Sequence, residues 1–285
     1  MERIKQAIEK AKNQQPKEQQ PKEQQPREQH PREDAPVVRS QAQNKEAVFV
    51  PPTPYPSDAL DEVNYHQTRV VKLRAEHLEK HRIFSFNKND PMSVTFDVLR
   101  TQILQKMEEK GWRTLAITSP TPGVGKTVVA INLAMSVVQK TNKTAMLVDF
   151  DFRQPRISKY LGIPMEKSLN DFLEHDVEIS EILVNPDIPR LVVLPTLNAV
   201  KNPSETLSSK KIAALIKELR ERYESRIIIF DLPSLLHSDD AISVLPQIDC
   251  ILMVVANGMS TQREIEDSRR HLSKANLIGT VFNKA

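Results

Sequence analysis

The chain has 285 residues, and its 40 Lys and Arg against 37 Asp and Glu leave a formal charge of +3, too small to argue for a nucleic-acid partner. One cysteine, Cys250, excludes an internal disulfide and suits a reducing compartment. No apolar run approaches the roughly 20 residues that span a bilayer, and Met1–Lys10 carries no hydrophobic h-region, so the chain is expected in the cytoplasm.

Residues 1–56 read as a proline-rich leader. Ile4 and Ile8 stand one turn apart in a short amphipathic segment, residues 1–12. A tandem repeat follows: Pro16-Lys-Glu-Gln-Gln, Pro21-Lys-Glu-Gln-Gln, Pro26-Arg-Glu-Gln-His, Pro31-Arg-Glu-Asp. Proline every five residues blocks helix propagation, and the residues between are polar. A disordered, extended spacer is expected. Val48–Pro56 is a second proline cluster, with enough apolar character to dock on something.

Residues 57–89 read as a charged helical connector, with a helix from Asp58 to about Phe84. His77 and His81, four apart, would share a face. A metal pair is weighed against two histidines on a wet helix. The second is preferred, because no nearby cysteine completes a ligand set and His66 lies about three turns away.

Residues 90–285 form the expected folded domain. Phe96, Leu99, Ile103 and Met107 make a core-facing stripe at helical spacing, ended by Gly111. Strands are expected at 114–118, 145–150, 191–195, 226–232, 249–257 and 278–283, with helices between them, as at 209–223 and 261–273. Continuous apolar runs such as Ile227-Ile-Ile-Phe230 suit strands covered on both faces. This alternation predicts an α/β fold with a doubly wound and mostly parallel sheet, and the glycine loop Pro122-Gly-Val-Gly-Lys-Thr127 after its first long strand makes it the P-loop NTPase type. Its ligand would sit at the C-terminal strand ends. Cys250 lies in an apolar run and is expected in the core.

Ser119-Pro-Thr-Pro-Gly-Val-Gly-Lys-Thr127 follows the apolar Thr114–Thr118 and precedes the helix start at Val128. A helix N-terminus holds unpaired N–H groups and partial positive charge, glycines admit a phosphate chain, and a lysine adds a full charge. Pro122, Gly123, Val124, Gly125, Lys126, Thr127 and Val128 are therefore expected to cradle a nucleoside triphosphate, although position 120 is Pro where the usual pattern begins with Gly. Two acidic sites lie downstream. Asp149 and Asp151 alternate on an extended strand and face one side. Such carboxylates hold Mg²⁺ or accept a proton from an attacking hydroxyl; the plain alternative is that they cap backbone groups at a turn. Asp231 ends the strand Arg226-Ile-Ile-Ile-Phe, the pattern that reaches Mg²⁺ directly or through water. The Thr127 hydroxyl suits the same ion. Asn283, ending the last expected strand, either hydrogen-bonds a base edge or is an ordinary turn asparagine.

With these residues, positions about 90–285 resemble the bacterial tyrosine kinases (BY-kinases) of capsule and exopolysaccharide synthesis. Ser119–Thr127 looks like their Walker A. Leu147–Pro155, with Arg153 and Pro155 after the paired aspartates, looks like their Walker A′, and Ile229-Phe-Asp-Leu-Pro233 like their Walker B. Asn202-Pro-Ser-Glu-Thr-Leu-Ser-Ser209 resembles their Asn-Pro-x-Glu-Leu-Leu-x-Ser segment. The resemblance implies ATP and Mg²⁺, with Lys126 on the phosphates, Thr127, Asp149 and Asp231 serving the metal, and Asp151 as base for a tyrosine hydroxyl. It also implies an activating membrane chain-length or export protein that recruits the chain to the inner face of the membrane, a tyrosine-bearing protein substrate, and a homo-oligomer. Three features differ from the family. Val124 stands where a glutamate is usual. Val94, Asp97 and Arg100 stand in place of a Glu-x-x-Arg-x-x-Arg ring motif. No tyrosine cluster follows Lys284, the tyrosines being Tyr55, Tyr65, Tyr160 and Tyr223.

Two other readings stand beside it. Partition and septum-site ATPases share the sheet and loop, and Val124 is typical of them, but their additional loop lysine corresponds to Thr121 here. A nucleotide-bound scaffold without catalysis, with the leader as its working part, is the third.

Overall fold

The computed structural model describes residues 68–284, except 176, 223 and 224. The leader and its repeats, the start of the connector with His66, and Tyr55, Tyr65 and Tyr223 lie outside the described residues.

Eight strands form one sheet: β1 (Arg69–Val70), β2 (Thr114–Thr118), β3 (Thr144–Asp149), β4 (Val184–Asn185), β5 (Leu191–Leu194), β6 (Arg226–Asp231), β7 (Cys250–Ala256) and β8 (Leu277–Asn283). Their spatial order is β1-β4-β5-β3-β6-β2-β7-β8. Every neighbouring pair is parallel except β4 with β5. The helices in chain order are α1 (Ala75–Lys80), α2 (Pro91–Lys110), α3 (Lys126–Lys140), α4 (Ile157–Leu161), α5 (Leu169–His175), α6 (Ile179–Ile182), α7 (Pro203–Leu207), α8 (Lys210–Glu221), α9 (Asp240–Val244) and α10 (Gln262–His271).

Strand alternation explains the two cores. Leu115, Ile117, Ala145, Leu147, Ile227 and Ile229 point to one face, where they pack with Met107 of α2 and Ile131 and Met135 of α3. Ala116, Met146, Val148, Ile228 and Phe230 point to the other and pack with Ile212, Leu215 and Leu219 of α8. Burying both faces is what the unbroken apolar runs require. α3 lies against the middle of the sheet, and its residues are buried on almost every side.

The main boundaries follow local chemistry. Asp90 accepts from the Met92 N–H at 2.8 Å and caps α2, with Pro91 at its first position. Gly111 closes it in the left-handed conformation at φ 67°. Along the expected stripe Ile103 and Met107 are buried, and Phe96 and Leu99 pack partly buried against the same core.

The connector departs from expectation. In place of a helix reaching Phe84, the described part holds edge strand β1 and the six residues of α1. Leu78 and Ile83 sink fully into the core, so the packed unit extends upstream of Asn89. Its anchor is Asn132 on α3. This buried amide accepts from the N–H groups of Phe84 and Ser85 at 2.8 and 2.9 Å and donates to the carbonyls of Arg82 and Val128. His77 and His81 share a face as expected, half-buried rather than free of the domain. His77 Nε2 bonds the Lys159 carbonyl at 2.9 Å, His81 Nδ1 bonds the His77 carbonyl at 2.8 Å, and His81 packs on Tyr160 with ring centroids 5.1 Å apart. At the positions compared with a ring motif, Arg100 pairs with Asp97 at 2.8 Å and also donates to Ser136, leaving Val94 exposed.

Candidate functional site

The site lies at the C-terminal ends of β2, β3 and β6, as parallel topology demands. The loop after β2 turns through Gly123 at φ 81° and Gly125 at φ 98°, both left-handed, and Gly125 leads into α3. Lys126 and Thr127 thus occupy the first turn of a buried helix, where the amides have no intrahelical acceptors. Val124 is buried, Val128 packs partly buried on the core, and Pro122 is exposed.

Register brings the acidic groups together. Asp149 and Asp231 end adjacent strands as direct partners. Thr127 Oγ1 donates to Asp231 Oδ2 at 2.6 Å, while Asp231 Oδ1 is buried with no hydrogen-bond partner. Lys126 Nζ lies 3.7 Å from Asp151 Oδ2, and Asp151 Oδ1 is steadied by the Gln154 N–H at 3.1 Å. Phe150 and Phe152, between and beyond the aspartates, are fully buried, and Phe150 packs against Phe230 with centroids 5.0 Å apart. Burial of such a ring is worth about 1.5–3 kcal/mol, which anchors the loop that carries the carboxylates.

Asp149 also does what the plain alternative assigned to it. Its Oδ2 accepts from the N–H groups of Arg156 and Ile157, each at 3.0 Å, and its Oδ1 from that of Asp151 at 3.3 Å. Direct ligation of a cation by Asp149 would therefore compete with bonds that hold the entry to α4. Burial raises its pKa well above 3.8, reinforced by the Asp231 charge. Burial also pushes Asp231 up to about 7, with Lys126 opposing and Asp151 reinforcing. Two buried carboxyls side by side favour a proton or a cation between them.

Among the described residues no group of three or more His, Cys, Asp or Glu side chains forms a metal cage. Mg²⁺ asks for less: one or two carboxylates, with phosphate oxygens and waters completing the shell. The unpartnered Asp231 oxygen beside the Thr127 hydroxyl fits such an ion.

A cavity of about 150 Å³ opens beside Lys126 and Asp151, lined by Gly125, Lys126, Thr127 and Asp151 and by Arg153, Arg156, Tyr160 and His237. A family model described as an AAA domain matches residues 112–262, just over half of the chain. The tyrosine-protein kinase CpsD of Streptococcus pneumoniae is 30% identical over 178 residues, which cover 60% of this chain and 76% of the relative. The chain belongs to the bacterial tyrosine kinase family. Another relative in that family, the putative tyrosine-protein kinase EpsB of Ralstonia nicotianae, is 32% identical over 197 residues, or 68% of this chain. The chain spans about a quarter of that relative's length, the aligned part being 26%. The solved VpsO kinase domain superposes with a TM-score of 0.61 at 25% identity, covering 68% of this chain and 96% of the domain.

In this kinase-family domain one contact at the cavity lining had no signal in the sequence. Arg153, which lines the cavity, is held by the first residue of α9: its Nε donates to Asp240 Oδ2 at 2.5 Å and its Nη2 to Oδ1 at 3.1 Å, with Asp240 fully buried. Arg153 was visible as part of a motif, but no signal marked Asp240 as its partner 87 residues on. Tyr160 is the tyrosine of the four that falls among the described residues. Asn283, expected either on a base edge or as an ordinary turn asparagine, donates from Nδ2 to the Val124 carbonyl at 2.7 Å and does not line the cavity.

Proposed function

We propose that this domain is an ATP-dependent protein-tyrosine kinase that regulates capsule or exopolysaccharide polymerisation and export. The observation that carries the reading is Lys126 beside Asp151 in one cavity, which Thr127 also lines while donating to Asp231, whose other oxygen is unpartnered. The amides of Gly123–Thr127 and the Lys126 ammonium would bind the phosphates of ATP. Thr127 and Asp231 would hold Mg²⁺, with Asp149 adding negative charge behind them. When bound, the ion supplies charge neutralisation on the phosphate oxygens.

Asp151 takes the role of base. It accepts the proton of a tyrosine hydroxyl as that oxygen bonds the γ-phosphorus and the bond to the β-phosphate oxygen breaks, leaving ADP. Lys126 Nζ lies 3.7 Å from that carboxylate. A membrane export protein of the same locus would act as activator and recruit the chain to the membrane's inner face. Among the described residues no helix is long and apolar enough to cross a membrane.

Incubation of the full chain with Mg-ATP, alone and with proteins of its locus, tests the reading. Phosphotyrosine should appear on the chain or on a partner, and Lys126→Met should abolish it. Hydrolysis without phosphotyrosine on any of them would replace the kinase by an ATPase switch.

A further inference from the structure

Two consecutive side chains at the end of β8 reach back to the phosphate loop. Asn283 Nδ2 donates to the Val124 carbonyl at 2.7 Å, and Lys284 Nζ donates to the Gly123 carbonyl at 2.8 Å. The Lys284 backbone turns left-handed, at φ 57°, to bring its ammonium over the loop, where it also meets Met259 Sδ at 3.2 Å. The base of this contact is firm. Asn283 is the register partner of Ala256 on β7, and its own carbonyl accepts from Asn257 at 3.1 Å.

A peptide group is planar, so the carbonyl of one residue and the N–H of the next point in opposite directions. Holding the Gly123 carbonyl sets the Val124 N–H, and holding the Val124 carbonyl sets the Gly125 N–H. Both donors grip the loop from outside the cavity, which neither of them lines. The two amides are thereby turned away from β8, as an anion-binding nest requires. Gly125 bears the imprint of this arrangement: a Cβ there would stand 2.3 Å from Asn283 Nδ2. The glycine is demanded by the clamp as well as by its left-handed backbone.

We infer that Asn283 and Lys284 are positioning residues that clamp the phosphate-binding loop from behind. The inference rests on the proposal that this loop binds a phosphate chain. Its test is calorimetric titration of the full chain with Mg-ATP and with Mg-tripolyphosphate, which has no base. Binding by the parent chain examines the underlying proposal, and the variants examine the clamp. Asn283→Ala should weaken both ligands by the same factor, about tenfold for one lost hydrogen bond plus a loosened loop. Asn283→Asp, which sets a carboxylate against a carbonyl, should weaken both further. Lys284→Met should weaken both about threefold, and Lys284→Arg should restore them. Loss for ATP alone, with tripolyphosphate within twofold of the parent, would overturn the clamp in favour of a base contact. Unchanged affinity for both would overturn it as well. Should Asn283→Ala fail to unfold cooperatively without ligand, the exposed Lys284 decides: unchanged tripolyphosphate affinity in Lys284→Met removes the clamp.

Discussion

Neutralising Asp231 should make the metal-free protein more stable and catalytically dead in one step. Burial lifts this carboxyl from 3.8 to about 7. A group whose folded-state pKa exceeds its unfolded value contributes stability that is complete below the unfolded value and lost as pH rises through the folded one. Between about pH 4 and pH 7 the native state keeps a proton that the unfolded chain has released, so unfolding free energy falls across that window. The interval from 3.8 to about 7 corresponds to about 4 kcal/mol. Asp231→Asn keeps an oxygen for the Thr127 hydroxyl and removes the charge, but it introduces a buried amide donor whose partner must come from Asp149 nearby. An unsatisfied donor would cost about 1–3 kcal/mol, leaving a net gain of about 1–3 kcal/mol at pH 8. Urea unfolding in EDTA measures it. The variant should exceed the parent at pH 8, with its advantage about 2–3 kcal/mol smaller at pH 5, where the parent's carboxyl is already protonated when folded. Mg-ATP should stabilise the parent and leave the variant unchanged. A variant weaker than the parent at pH 8, or an advantage that does not vary with pH, would refute the reasoning.

Three other outcomes follow from the same geometry. Asp151→Asn should bind Mg-ATP within about threefold of the parent yet lose phosphoryl transfer by about 10²–10⁴; normal single-turnover transfer would remove Asp151 from the chemistry. Arg153→Gln strands the buried Asp240 carboxylate and should destabilise by about 1–3 kcal/mol, less than the roughly 3–5 kcal/mol of a fully buried pair because Arg153 is half exposed. Asp240→Asn should cost less, and urea midpoints of the two variants decide the order. The Cys250 thiol is buried and pushed up to about 12, first by burial and then by Asp249. It should therefore resist alkylation at pH 8 in the folded protein and react only on unfolding, followed by mass spectrometry.

The centre of the fold was legible because burial on both sheet faces writes unbroken apolar runs. The expected strands at 114–118 and 226–232 differ from β2 and β6 by one residue at most. The two-residue strands β1 and β4 carry no period and left no trace. The connector looked helical because its charges are dense, yet Leu78 and Ile83 were the apolar pair that mattered. At the site, Lys126, Thr127, Asp149, Asp151 and Asp231 were legible because each ends or follows a strand at a motif spacing, and the structure gathers them. Contacts between segments far apart in the chain were not. The Asn283–Val124 bond joins residues 159 apart, and Arg153–Asp240 joins residues 87 apart. Such pairs have no local pattern and emerge only when topology lays strand ends side by side.

Asn132 gives the upstream segment a mechanical meaning. All four hydrogen bonds available to its amide are made, three of them to residues 82–85, and it sits on the helix that begins with Lys126. Tension that pulled residues 82–85 off the domain would leave a bare amide in the core, less than two turns below the lysine. One helix therefore carries both Lys126 at its start and the side chain that fastens residues 82–85 to the domain.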